Sequence, residues 1–138
     1  MGWPGMKLYL DASAIIYGIE GVASVREAVL SRLLQVESAA GGRILTSRLS
    51  RLECRVAPLR NEQNDLLAAY ELFFTRRFVT VAEITASVIE RATDLRVRYG
   101  LKTPDAIHVA TAIDLQADSI LTGDRDMARC TEARVDIV

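Results

Sequence analysis

Four carboxylates stand where short apolar runs end. Asp11 follows residues 7–10, in Leu10-Asp-Ala-Ser-Ala14, and Asp124 lies in Ile120-Leu-Thr-Gly-Asp-Arg-Asp126. Asp105 comes directly after Thr103-Pro104, and Glu53 closes Thr46-Ser-Arg-Leu-Ser-Arg-Leu-Glu53. Carboxylates gathered without a counter-charge repel one another, which raises their pKa values and opposes folding. A hard divalent cation removes that repulsion, and carboxylate oxygens are its natural ligands. The chemistry open to such a group is metal-assisted. The single histidine, His108, leaves no credible Ser–His or Cys–His nucleophile and excludes the usual nitrogen–sulfur zinc site. Cys54 and Cys130 match no metal or redox spacing and read as reduced thiols of a cytoplasmic protein.

Each acid also has a local role open to it. Asp11 or Ser13 suits the N-cap of a following helix. Asp105, just after a helix-opening proline, is favoured by the helix dipole. Glu53 lies three residues after Ser50, as in a capping box, although Ser47 is the better helix start. Asp124 and Asp126 beside Gly123 suit a turn. Taken one by one, these roles leave unexplained why acids recur at the ends of the apolar runs.

The elements that must position them alternate. Residues 7–10, 43–46, 78–81, 119–122 and 135–138 read as short strands flanked by turn or charge signals. A helix over 25–39 carries Val29, Leu33 and Val36 as its apolar stripe. Ser24-Val-Arg-Glu27 is expected to cap it and Gly41-Gly42 to stop it. Further helices are predicted over 62–75, over 86–99 with Gly100 as the stop, and from Thr103 to about Gln116, with Thr103 as N-cap and Pro104 at the first position. The order β-α-α-β-α-α-β-α-α-β-α-β argues for an α/β domain: a largely parallel sheet with helices on both faces. In such sheets chemistry gathers beyond the carboxyl ends of the strands, which puts all four acids near one edge.

With 138 residues, half of them apolar and a quarter charged, the chain reads as a single domain, 1–138, with enough length for one core. Charge interrupts every apolar stretch before it reaches membrane-spanning length, and residues 1–5 have neither the basic nor the apolar part of a secretory signal. Met6 is the expected functional start, with residues 1–5 as an extension of no structural importance. A net charge of −1 argues against holding nucleic acid by bulk positive charge, yet all but two of the 17 basic residues are arginine, suited to bidentate phosphate contacts.

The runs Leu10-Asp-Ala-Ser13, Ser50-Arg-Leu-Glu53, Thr103-Pro-Asp-Ala-Ile-His-Val-Ala110 and Leu121-Thr-Gly-Asp-Arg-Asp126 resemble the four signature segments of PIN-domain proteins. They are similar in particular to those of VapC toxins of bacterial type II toxin–antitoxin modules. The resemblance runs in order and spacing from Lys7 onward. It implies a three-layer α/β/α sandwich with a mostly parallel sheet of about five strands. It also implies a metal-dependent endoribonuclease: Asp11, Glu53, Asp105 and Asp124 would hold one or two Mg²⁺ or Mn²⁺ ions, with Asp126 as an additional acid and Ser13 in a supporting role. Water would attack an RNA phosphodiester in line and leave a 5′-phosphate. The partners implied are a VapB-type antitoxin, a second copy of the chain and, only through the antitoxin, DNA. One departure is Gly123, where many relatives carry Asn.

Arg48, Arg51, Arg55, Arg98, Lys102 and Arg125 lie in sequence near the acids and are the candidates for RNA phosphates, with a solvated basic face as the alternative. One Trp, four Tyr and three Phe provide no evident stacking platform for single-stranded RNA. His108, three residues after Asp105, is read as a packed histidine with one hydrogen bond rather than a site residue. Asp114, half a turn out of phase, is expected to face solvent. Two other functions compete. A PIN-like fold kept only for binding RNA or protein would be expected to lose site acids, and all four are present. A phosphatase or receiver would need a second Asp where Ser13 stands, or a lysine later than Lys102.

Overall fold

The computed structural model describes residues 6–138, so the expectation for residues 1–5 lies outside the described residues. Five strands form one sheet: β1 (Lys7–Leu10), β2 (Arg43–Ser47), β3 (Val79–Ala82), β4 (Ser119–Thr122) and β5 (Val135–Ile137). Their spatial order is β3-β2-β1-β4-β5, and every pairing is parallel. Six helices are described: α1 (Ala12–Glu20), α2 (Ala23–Ser38), α3 (Arg48–Arg60), α4 (Asn64–Phe74), α5 (Ala86–Tyr99) and α6 (Thr103–Asp114). The last expected helix is a short 3-10 turn, Arg125–Arg129.

Alternation along β1 splits the core in two. Leu8 and Leu10 point into a cluster with Ile15, Val29, Leu33, Val36, Tyr70 and Phe73 from α1, α2 and α4. Tyr9 points the other way, among Val88, Leu95, Val109 and Ile120, where α5 and α6 cover the opposite face. Both faces of the central strands are thus buried, as near-continuous apolar runs such as Lys7-Leu-Tyr-Leu10 require of a parallel sheet. The result is a three-layer α/β/α sandwich.

The chain winds outward from β1 through β2 to β3 and then returns to lay β4 and β5 on β1's other side. The winding reverses between β1 and β4, the place where open α/β sheets collect ligands. Leu10 and Leu121 are register partners there, so Asp11 and Thr122 leave the sheet side by side. The Thr46 hydroxyl donates to the Leu10 carbonyl (2.9 Å) and ties the end of β2 to the same point.

Two capping expectations are corrected. Helix α2 starts at Ala23, with Val22 as its N-cap and no side-chain cap, because the Arg26 amide already bonds the Val22 carbonyl (2.9 Å). Ser24 is therefore inside the first turn, and Ser24–Glu27 is not a capping box. Likewise Lys102 caps α6 and Thr103 is already helical. The Thr103 hydroxyl accepts from Arg96 (3.0 Å), whose Nε also donates to the Leu101 carbonyl (2.9 Å). Helix α6 ends at Asp114 rather than near Gln116, and α4 starts two residues later and ends one residue earlier than expected.

Candidate active site

Asp11 is held from three sides. It is the N-cap of α1, its Oδ1 accepting the Ala14 amide (2.9 Å) and the Ser13 hydroxyl (2.7 Å), while its Oδ2 accepts the Thr122 hydroxyl. The capping role open to Asp11 in the sequence is the one the structure shows. The residue is only 4% exposed, and three donors make its burial as an ion tolerable. Ser13 also accepts the Gly123 amide (2.9 Å), fastening the loop after β4 to the start of α1.

Thr122 is a site residue that sequence reasoning missed. Fully buried at the end of β4, it donates to Asp11 and accepts the Asp124 amide (3.0 Å). Its only sequence signal is a hydroxyl in an apolar strand two residues before an acid. Asp124 caps the 3-10 turn, its Oδ1 accepting the Asp126 amide (2.9 Å). The Asp126 side chain is ion-paired with Arg129 (3.2 Å).

Asp105, in the first turn of α6, faces this pair. Its carboxyl is pushed up to about 7, first by burial, then by the neighbouring Asp124 carboxyl and by the Asp11 charge, with His108 opposing. Oδ2 of Asp105 is buried and, among the described residues, has no hydrogen-bond donor. Asp11, Asp105 and Asp124 are therefore brought into one electrostatic neighbourhood from β1, α6 and β4.

Glu53 reaches the region from α3, which starts after Ser47, and its Oε1 meets His108 Nε2 at 2.8 Å. His108 is packed as expected but makes two hydrogen bonds rather than one: its Nδ1 lies 2.8 Å from the Tyr9 hydroxyl, and its other bond goes to a candidate site acid. Tyr9 is fully buried, and burial, with the charges of Asp11 and Glu53 adding to it, raises its phenol well above the ordinary value. It stays neutral at any physiological pH.

The basic candidates divide. Arg51 is bonded to Glu71 (3.1 Å) with its guanidinium over the Phe74 ring (5.5 Å), and Arg55 pairs with the same Glu71 (3.1 Å). These two fasten α3 to α4. Arg48 pairs with Glu83 on the surface (2.7 Å), and Arg98 with Asp94 (3.1 Å) and Glu132 (3.6 Å). Lys102 and Arg125 are exposed and in no ion pair among the described residues. Asp114 is exposed at the end of α6.

The donor set suits a hard divalent cation: oxygen ligands only, one with a buried, unpartnered oxygen and a pKa raised by its neighbours' charge. As the side chains stand, no three of His, Cys, Asp or Glu among the described residues are close enough to hold one ion.

A family model described as the PIN domain matches residues 8–133, and the chain belongs to that family. The search of solved structures adds fold-level likeness. VapBC2 from Rickettsia felis, bound to a promoter DNA fragment, shares 14% identity at a TM-score of 0.75, covering 96% of this chain and 99% of that one. VapC20 of Mycobacterium tuberculosis, a toxin that cleaves the sarcin–ricin loop, shares 18% at 0.69, covering 88% and 92%. A DNA-bound VapBC from Salmonella typhimurium shares 16% at 0.72, covering 96% and 98%. No curated protein matches the chain.

Proposed function

We propose that this PIN-domain chain is a Mg²⁺- or Mn²⁺-dependent endoribonuclease and the toxin of a type II toxin–antitoxin pair. The observation that supports the reading is Asp105: a carboxyl raised to about 7 by burial and by Asp124, with a buried oxygen that has no donor among the described residues, suits a cation ligand. Asp11, Glu53, Asp105 and Asp124 would hold the ion. When bound, it supplies Lewis acidity that lowers the pKa of water and offsets the negative field that would otherwise repel a phosphodiester. The residues do the rest. Asp11 is aimed by Ser13, Thr122 and the Ala14 amide. Asp105, whose raised pKa favours its protonated form, would have to lose that proton to serve as a ligand. Arg125 and Lys102, exposed and without ion pairs among the described residues, are the nearest candidates for RNA phosphates.

A VapB-type antitoxin and a second copy of the chain are the partners this reading calls for, with DNA reached only through the antitoxin. It also places the protein in the cytoplasm; no helix among the described residues is long and apolar enough to cross a membrane. The spacing of the acids favours one competitor, a PIN fold retained for binding alone. Cleavage of total RNA separates the two. The nuclease requires 5′-phosphate products with Mn²⁺ or Mg²⁺, none with EDTA, and none from Asp105→Asn. Cleavage by Asp105→Asn at the wild-type rate overturns the assignment.

A further inference from the structure

Tyr9, His108 and Glu53 form a buried line across three elements. Tyr9 comes from β1, His108 from α6 and Glu53 from α3, and the two links are both 2.8 Å. Neither of the first two residues is exposed, so water cannot compete for the bond between them. The hydrogens can be assigned from chemistry. A carboxylate only accepts, so Nε2 carries the hydrogen toward Glu53; when the ring is neutral, Nδ1 then accepts from the Tyr9 hydroxyl. The Tyr9 ring also meets the imidazole edge-on, with centroids 5.8 Å apart, which fixes the plane of the ring that Glu53 leans on.

Glu53 itself needs such support. Its side chain is about a third exposed and sits on a helix surface, where a glutamate has three rotatable bonds and no other hydrogen-bond partner among the described residues. With Oε1 engaged, Oε2 is the oxygen left without a hydrogen-bond partner among the described residues.

We propose that His108, locked by Tyr9, is a positioning residue that fixes the Glu53 carboxylate for the cation. This rests on the metal-dependent reading above and deepens it. It also gives an inner layer to the site: Asp11 is fixed by the β4 loop, and Glu53 by the centre of the sheet through two buried side chains. Second-layer partners of this kind change metal affinity by about 10–100-fold when removed.

The test uses the full chain and Mn²⁺ alone, followed by calorimetry, with His108→Leu, His108→Gln and Tyr9→Phe, each checked for folding by circular dichroism. His108→Leu is expected to weaken Mn²⁺ by about 10–100-fold. His108→Gln, whose amide can still donate to Glu53, should recover most of that loss, and Tyr9→Phe should fall between. Wild-type affinity in folded His108→Leu, or equal losses in the Leu and Gln variants, overturns the proposal. A second measurement needs no metal: long-range proton–nitrogen NMR of the His108 ring should show one tautomer, with hydrogen on Nε2. A rapidly exchanging mixture overturns the strut. If wild-type protein binds no Mn²⁺, the nuclease reading and the metal role of Glu53 both fall, whatever the NMR shows; if wild type binds and Asp105→Asn does not, a null result at His108 defeats this inference alone.

Discussion

The Tyr17 ring occupies the space that a side chain at position 123 would need. A Cβ built on Gly123 would lie 2.3 Å from the Tyr17 ring and 3.0 Å from its hydroxyl. The asparagine that the family resemblance leads one to expect has thus given way to an aromatic supplied by α1.

Adding a methyl there forces the Tyr17 side chain outward. Because the obstructing atoms are the far end of a partly exposed side chain, Gly123→Ala should cost about 1 kcal/mol, at the low end for overpacking. Tyr17→Ala/Gly123→Ala should show that penalty abolished in a double-mutant cycle of chemical denaturation. Strict additivity of the two changes would mean that the ring does not set the residue at 123.

Thr122→Val keeps shape but strips the hydroxyl that donates to Asp11 and accepts the Asp124 amide. It should cost about 1–3 kcal/mol in denaturant melts, since a buried carboxylate oxygen and an amide each lose a partner. Thr122→Ser should recover most of it. Asp11→Asn can keep the Ala14 cap but turns the oxygen that accepts the Thr122 hydroxyl into a donor, so stability should fall by about 1–3 kcal/mol. RNA cleavage should also fall at least about 100-fold, the rate equivalent of several kcal/mol of lost cation binding. An active Asp11→Asn protein would remove Asp11 from the metal site.

Asp105 sets a pH dependence for metal-free protein. Its folded value, about 7, lies above the ordinary 3.8, so the folded state binds the extra proton. The stability this contributes is complete below about 4 and is lost as pH rises through about 7. Melting temperature in EDTA should therefore decline between pH 5 and pH 8, while Mn²⁺ should flatten the decline and Asp105→Asn should lack it. A wild-type profile that matches Asp105→Asn would show that Asp105 is not the group responsible.

Much of this was legible in the sequence because it is local. Apolar runs of four residues bounded by turn signals located all five strands, and acids immediately after them located the edge of the sheet. What escaped depends on partners distant along the chain. His108 looked like a packed residue with one hydrogen bond because Tyr9 and Glu53, 99 and 55 positions away, meet it only once α3 and α6 dock on the sheet. Arg51 and Arg55 looked like phosphate contacts until Glu71 on α4 claimed both. Ser24 and Thr103 misled for a subtler reason. Both are good capping residues, but each lies one position or more inside a helix whose start is fixed by the preceding turn, at Gly21-Val22 and at Leu101-Lys102.

The bond between Thr122 and Asp11 spans 111 positions, and β1 has no β4 to pair with until most of the chain exists. During synthesis, at about 5–20 residues per second, the first acid emerges seconds before the loop that aims it. The site therefore cannot form on a growing chain. Under the nuclease reading, the chain gains its activity only when the protein is nearly finished.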